Sequence, residues 1–337
     1  MRAYSILLGS LLLPALLATA SAQTYDQGPV FSLLEENDLL VKTDRHYTQG
    51  TKLSYLQADG HVPRCVSNLF QHVPAILFTE KRSKFGYEIG QSIYTPADLS
   101  KTALIPNDRP YAGWLYTGLI LHRRGVSKRD IPVLESFQMD LGIIGPDALS
   151  GESQTWVHEI RSFGLPRGWR NQLKDEPGIA LRSQRSYLLS LKWGEMRWLD
   201  FIPHGGASLG NVDTSVRGGA LLRLGWDLPH DFGPKIIDSL MVNEGGHSPT
   251  SKTGRWSLYV FGGVEGRILG FNEFLDGNLY HRSQHVKKEQ MATDFQGGAV
   301  LVLNRFEVGF TTVYRTKDFL LQSKRDAFGS FVLKYKF

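Results

Sequence analysis

The chain has 337 residues, a formal net charge of +5 and a single cysteine. One cysteine excludes an intrachain disulfide, and a small buried apolar side chain is the expected role of Cys65. The modest positive charge does not call for nucleic acid; in an exported chain it fits an envelope surface rich in lipid phosphates.

The chain opens with Arg2, a leucine-rich run from Ile6 to Leu17, and Ala20-Ser21-Ala22. This is the pattern of a secretory signal peptide over 1–22, leaving a mature chain of 23–337. No later apolar run reaches roughly 18 residues, so no membrane-spanning helix is expected. No linker, repeat or low-complexity tract divides 23–337, which is read as one domain.

A short apolar run, Val30 to Leu34, leads into Glu35-Glu36-Asn37-Asp38, and an alternating stretch resumes after Thr48-Gln49-Gly50. That is strand, polar turn, strand. Further strands are expected near 84–94, 111–124, 133–144, 178–192, 197–211, 214–228, 254–269, 290–303, 305–317 and 326–337. In 84–94, Phe85, Tyr87, Ile89 and Ile93 share a face opposite Lys84, Glu88 and Ser92. The chain ends Phe331-Val332-Leu333-Lys334-Tyr335-Lys336-Phe337, an alternation closing on an aromatic residue, like the last strand of a bacterial outer-membrane barrel. Period-2 patterning alone would also suit a soluble sandwich. The leader and the final Phe337 favour an all-β fold: a transmembrane, antiparallel β-barrel of about twelve strands.

With both termini periplasmic, the odd-numbered connections face outward. These are 38–46, 95–110, 146–177, 212–213, 270–289 and 318–325, while 59–83 and 229–253 are expected at the periplasmic end. The polar turn of the first hairpin, the Lys101 segment and the longest loop therefore share one rim. In that longest loop Ser150 or Gly151 can cap a short helix. Gln154 and His158 lie on it, four apart and on one face. A lone helical histidine is more often structural than catalytic, but the amide beside it changes the balance. Trp169 is expected to anchor the loop or sit in the lipid interface.

These motifs together resemble the outer-membrane lipid A 3-O-deacylase family. The resemblance is carried by Glu36-Asn37-Asp38; by Asp44-Arg45-His46-Tyr47-Thr48-Gln49-Gly50; by Gly90 to Pro96; by Asn107-Asp108-Arg109; by Gly142 to Ala148; by Gln154-x-x-x-His158; and by Trp169-x-x-Gln172. It covers the first half of the mature chain, and the second half matches in strand pattern only. It implies a calcium-dependent esterase that removes the 3′-acyloxyacyl group of lipid A in the bacterial outer membrane. It places the family's functional residues on Asn37, Asp38, Thr48, Lys101, Gln154 and His158. The acidic residue that follows the histidine in the family has no counterpart in Glu159 to Gly164.

The residue chemistry is compatible with that expectation. A histidine with a pKa near about 6.5 can take a proton from water at neutral pH. Asp38 and Asn37 offer hard oxygen ligands for calcium, which would polarise an ester carbonyl. Lys101 and Arg109 would attract a lipid A phosphate, although such charges also serve solubility. No Gly-x-Ser-x-Gly stretch is present, and Thr48 as nucleophile would need an adjacent base. The expected partners are lipopolysaccharide and the outer membrane, with the chain a monomer and no nucleic acid bound. The competing readings are an outer-membrane phospholipase and a non-enzymatic, porin-like barrel.

Overall fold

The computed structural model describes residues 28–41, 46–194, 196–234, 236–237 and 256–337. The expected leader, Asp44 and Arg45, and 238–255 lie outside the described residues.

Alternation makes the wall. In β1 (Val30–Asn37), Val30, Ser32, Leu34 and Glu36 are buried, while Phe31, Leu33 and Glu35 face the other way. The wall continues with β2 (His46–Leu56), β3 (Phe78–Thr95), β4 (Ala112–Ser127), β5 (Pro132–Ile144) and β6 (Glu176–Tyr187). The next segments are β7 (Leu189–Trp193), β8 (Met196–Gly210), β9 (Asp213–Trp226) and β10 (Trp256–Asn272). The last three are β11 (Met291–Leu303), β12 (Phe306–Arg315) and β13 (Asp326–Lys336). β6 and β7 are one stave interrupted at Leu188, and both pair with β8. β1 pairs with β13 from Val30↔Lys336 to Asn37↔Gly329. The sheet is thus a closed, antiparallel barrel of twelve staves, as the alternation predicts. β3 starts at Phe78 rather than 84. Thr79 to Ser83 carry no apolar alternation to announce a strand, yet their backbone pairs with β4 as far as Ser127.

One face of the wall is apolar and exposed: Phe31, Leu53, Tyr55, Tyr87, Ile89 and Leu141. The other is polar and buried. Lys52 meets Glu88 at 3.5 Å, Arg315 meets Asp294 at 2.7 Å and Lys334 meets Glu307 at 2.6 Å. Charges taken from water must be paired, and here they are paired across neighbouring strands. Apolar outside and ionic inside is the arrangement for a lipid-facing barrel.

The lumen is also filled by chain. The connection after β9 was expected at the periplasmic end; residues 228–234, 236 and 237 turn into the barrel. Leu228 bonds back to Arg197 O at 3.0 Å, and His230 accepts from Arg197 at 2.7 Å. Asp231 pairs with Arg223. Farther along, Ile236 packs in the aromatic cluster of Tyr47, Tyr94, Trp114 and Phe328. The Ile237 amide donates to Glu36 Oε1 at 2.8 Å, at the opposite end of the lumen. The driving terms are burial of Leu228, Phe232 and Ile236 and neutralisation of arginines already projecting inward.

The odd-numbered connections do gather at one end. Gln284 donates to Ile105 O and Asp108 O, Asn278 and Lys174 exchange bonds, and Arg167 N bonds Leu99 O at 2.9 Å. At the other end, α1 (Arg64–Phe70) follows β2. Cys65 lies on it and is exposed, contrary to expectation, because no apolar residue of this helix is fully buried.

Candidate active site

The helix in the longest loop, α2 (Ser150–Arg161), was expected over the rim. It lies instead against the outer face of the wall. Trp114 and Tyr116 of β4 point into the lumen, so Gly113 faces outward. Ser150 rests on it: a Cβ on Gly113 would stand 2.1 Å from Ser150 Oγ. Gln91, on the outer face of β3, donates to Ala148 O at 2.7 Å. At the other end of the helix, Arg161 exerts its charge on Glu35, on the outer face of β1. The helix therefore crosses from β4 towards β1, a span of about 14 Å at about 4.8 Å per strand that its twelve residues can bridge. Neither Ser150 nor Gly151 caps it; Leu149, with φ 56°, is the N-cap, and no side chain bonds there.

The amphipathicity of α2 is inverted relative to a helix on a soluble domain. Its wall-facing stripe is Ser150, Gln154 and His158, with Gln154 at 1% and His158 at 3% exposure. Trp156 and Ile160, each 64% exposed, point away. A polar wall-facing stripe, with Trp156 and Ile160 exposed among the charged Glu152, Glu159 and Arg161, is the pattern of a helix at a membrane interface.

Gln154 and His158 are both fixed. At the C-terminal end of α2 the amide of Phe163 bonds His158 O and that of Ser162 bonds Glu159 O, with Ser162 left-handed at φ 56°. This is a Schellman ending. It turns the chain back so that Gly164 O accepts from His158 Nδ1 at 2.7 Å. A carbonyl only accepts, so Nδ1 carries the proton in the neutral ring and Nε2 keeps its lone pair. The backbone carbonyl thus orients the imidazole where the sequence offers no carboxylate. Phe163 adds an edge contact at 5.8 Å. Gln154 Oε1 accepts from Trp169 Nε1 at 2.8 Å. An indole N–H only donates, so the amide is not free to flip. Its buried NH2 group makes no protein hydrogen bond among the described residues. Trp169 itself packs on Tyr111 at 4.9 Å. The sequence offered Trp169 as a loop anchor or a lipid-interface residue, with no sign that its indole holds Gln154.

Beside this helix lies the end of the first hairpin. Asn37 ends β1 and is buried, and Asp38 begins a short 3-10 turn to Val41. That turn leans over the outer face of β13, where Leu40 covers Gly329. Thr48 sits at an irregularity in the β2–β3 ladder between Tyr47↔Tyr94 and Gln49↔Ile93. The extra residue lets Tyr47 point inward while Gln49 joins Glu35 outside. Thr48 Oγ1 is 2.7 Å from Thr95 Oγ1, a hydroxyl rather than a base. Below the Asn37–Asp38 corner, Glu36 accepts from Tyr47 Oη at 2.8 Å and from the luminal Ile237 amide. Hydrogen bonds to a carboxylate stabilise by about 1.5–3 kcal/mol each, so this corner is firmly seated.

The other two expected residues are not part of the stripe beneath α2. Lys101 is largely exposed and pairs with Asp98 at 3.6 Å. Arg109 is buried at the barrel mouth, its guanidinium 4.7 Å over the Tyr94 ring and 3.9 Å from Asp318. Beside it, His46 is held between Asp326, at 2.8 and 2.9 Å, and Asp108, at 3.2 Å. Burial pushes the Asp108 carboxyl up, but His46 and the Ala97 and Arg109 amides outweigh it and hold it below its usual range. This cluster ties the 95–110 loop to the mouth.

Among the described residues no group of three or more His, Cys, Asp or Glu is placed to hold a metal ion. The donors at the Asn37–Asp38 corner are all oxygens, a carboxylate and an amide carbonyl, and that set suits calcium. One carboxylate leaves the remaining positions to backbone carbonyls, water or substrate oxygens.

A closed outer-membrane barrel with a polar stripe trapped between its outer wall and a lipid-facing helix defines the class of protein. The model of the outer membrane protein LpxR family matches residues 7–337, and the chain belongs to that family. LpxR from Salmonella typhimurium superposes with a TM-score of 0.72 at 20% identity, covering 91% of this chain and 100% of that one. The β domain of the Bordetella autotransporter BrkA reaches a TM-score of 0.44 at 9% identity, over 93% of this chain and 99% of that one. No curated protein sequence matches the chain.

Proposed function

We propose that the protein is a calcium-dependent esterase that removes the 3′-acyloxyacyl group of lipid A. The observation that carries this reading is the stripe under α2. His158, oriented by Gly164, presents Nε2 on the outer side of the wall, where the acyl chains of a membrane lipid lie. Family membership supports lipid A as the substrate, and the rim that carries α2 then faces outward.

In this reading Nε2 of His158 takes a proton from water as the water oxygen attacks the ester carbonyl carbon. The NH2 group of Gln154 donates to the developing oxyanion, and Trp169 holds it in that orientation. The imidazolium then returns its proton to the departing sugar oxygen. A fatty acid and a free sugar hydroxyl result. Calcium bound at Asp38 and Asn37 would polarise the carbonyl and offset the negative charge. Thr48 and Thr95 orient the substrate beside the corner. Lys101 attracts a lipid A phosphate from the exposed loop; Arg109, engaged at the mouth, serves the loop's attachment instead.

His158→Ala tests the proposal. Turnover of lipid A should fall by about 10²–10⁴-fold, with heat-modifiable migration unchanged. The acidic limb of the rate profile should vanish with it. Near-native turnover by a folded His158→Ala would sink the mechanism. A phospholipase would instead hydrolyse glycerophospholipid and leave lipid A intact. The filled lumen removes the support for a porin-like reading.

A further inference from the structure

A second apolar site lies on the outer wall, towards the end opposite the candidate active site. Two rows of outward side chains run across neighbouring strands in register. Leu119, Met139, Leu181 and Leu209 form one; Phe85, Leu121, Phe137, Ser183 and Ala207 form the next. The second row ends in two small residues, which leaves a depression. α1 forms its lip. Phe70 packs on Phe137 at 4.8 Å, and Arg123 anchors the segment after the helix by donating to Val73 O at 2.7 Å. Phe85 is only 3% exposed beneath this lip, whereas Tyr87, two residues farther along the same face, is 46% exposed. Between helix and wall is a groove of about 460 Å³ lined by Val66, Leu69, Phe70, Phe137 and Leu181 among others. That is within the range of small-molecule sites.

We propose that this groove holds an acyl chain of a glycerophospholipid from the leaflet at the α1 end. Three observations identify the occupant. The groove is continuous with the exposed apolar belt of Tyr87, Ile89 and Leu141, so its open side meets lipid tails. The helix leaves Leu69, and the segment after it Ile76 and Leu77, exposed, as an interfacial element does. Exposed Arg64, Lys81, Lys128 and Arg129 surround that end. They outnumber its exposed carboxylates, Asp130 and Glu80, and Glu80 is already held by Ser83 and Arg123. That charge suits phosphate headgroups. The choice of leaflet rests on the active-site rim facing outward, as proposed above.

The experiment is native mass spectrometry of the full barrel extracted into detergent and equilibrated with dipalmitoyl phosphatidylglycerol, or in a second arm with lipid A. Wild type should retain one phosphatidylglycerol after washing that strips the annular lipids. Ala207→Trp fills the depression from the lipid-facing side and should lower retention at least tenfold, as should Ser183→Phe. Val216→Trp, at an exposed site elsewhere on the wall, should leave it unchanged. Lipid A turnover should be native in all three, which separates this site from the catalytic one. Wild-type retention by Ala207→Trp and Ser183→Phe, retention by no form, or preferential retention of lipid A would each overturn the assignment.

Discussion

The bond from Trp169 Nε1 to Gln154 Oε1 can be removed without disturbing the packing around it. Trp169→Phe keeps a ring against Tyr111 and deletes only the donor. Gln154 is buried, so its Oε1 loses its partner with no water to replace it. Such a loss costs about 1–3 kcal/mol, and it also frees the amide to flip. If the NH2 group acts mainly in the transition state, that cost appears in kcat, as a fall of about 5- to 150-fold with KM little changed. A general loosening of the loop would give a similar loss for a different reason, so the assay is a double-mutant cycle. Turnover of lipid A in detergent is measured for wild type, Trp169→Phe, Gln154→Ala and the double variant. The double variant should be no slower than Gln154→Ala alone, because the tryptophan acts through the glutamine. Additive losses, or a Trp169→Phe enzyme with native kcat, would refute the reasoning.

Asp38→Asn removes the carboxylate proposed to hold calcium and should raise the calcium concentration required for half-maximal turnover at least tenfold; full activity of wild type in excess chelator would reduce Asp38 to a turn residue. Lys101→Ala should raise KM for phosphorylated lipid A severalfold and leave kcat and the dephosphorylated substrate unaffected, as steady-state kinetics on the two substrates will show. Glu273, after β10, and Glu176, at the start of β6, are buried, and burial followed by the Glu176 charge raises the Glu273 pKa from 4.5 to about 8. Because the folded state holds this proton more tightly, the stabilisation is complete below about pH 4.5 and is lost as pH rises through about 8. Heat-modifiable migration should therefore occur at lower temperature at pH 9 than at pH 5, and Glu273→Gln should flatten that difference; a variant with the wild-type slope contradicts it.

The wall was legible because a membrane barrel imposes period 2 on every stave. Residues 30–37 and 133–144 show it with Phe31, Leu33, Phe137, Met139 and Leu141 outward, broken only by Glu35, Asn37 and Glu135, and their observed ends fall within a residue of expectation. Gln154 and His158 were legible as a pair because four residues make one helical turn. The side of the wall on which the helix lies was not. The signal was there in Trp156 and Ile160, apolar opposite a polar stripe, but it has meaning only once lipid is known to be the surrounding medium. The support of His158 was missed because a backbone carbonyl has no sequence signature; Gly164 O does the work of a carboxylate. The luminal course of 228–234, 236 and 237 was not foreseen for a related reason. His230 and Asp231 read as polar loop residues, and only Arg197 and Arg223, projecting inward from distant strands, make the interior the favourable place for them.

The central claim is ester hydrolysis at the 3′ position of lipid A on the outer side of the barrel wall. Mass spectrometry of lipid A before and after incubation with the folded protein and calcium tests it most directly. The account predicts loss of the mass of one acyloxyacyl group, release of the matching fatty acid, and no change with His158→Ala. An unchanged lipid A spectrum, with glycerophospholipid hydrolysed in the same mixture, would contradict it.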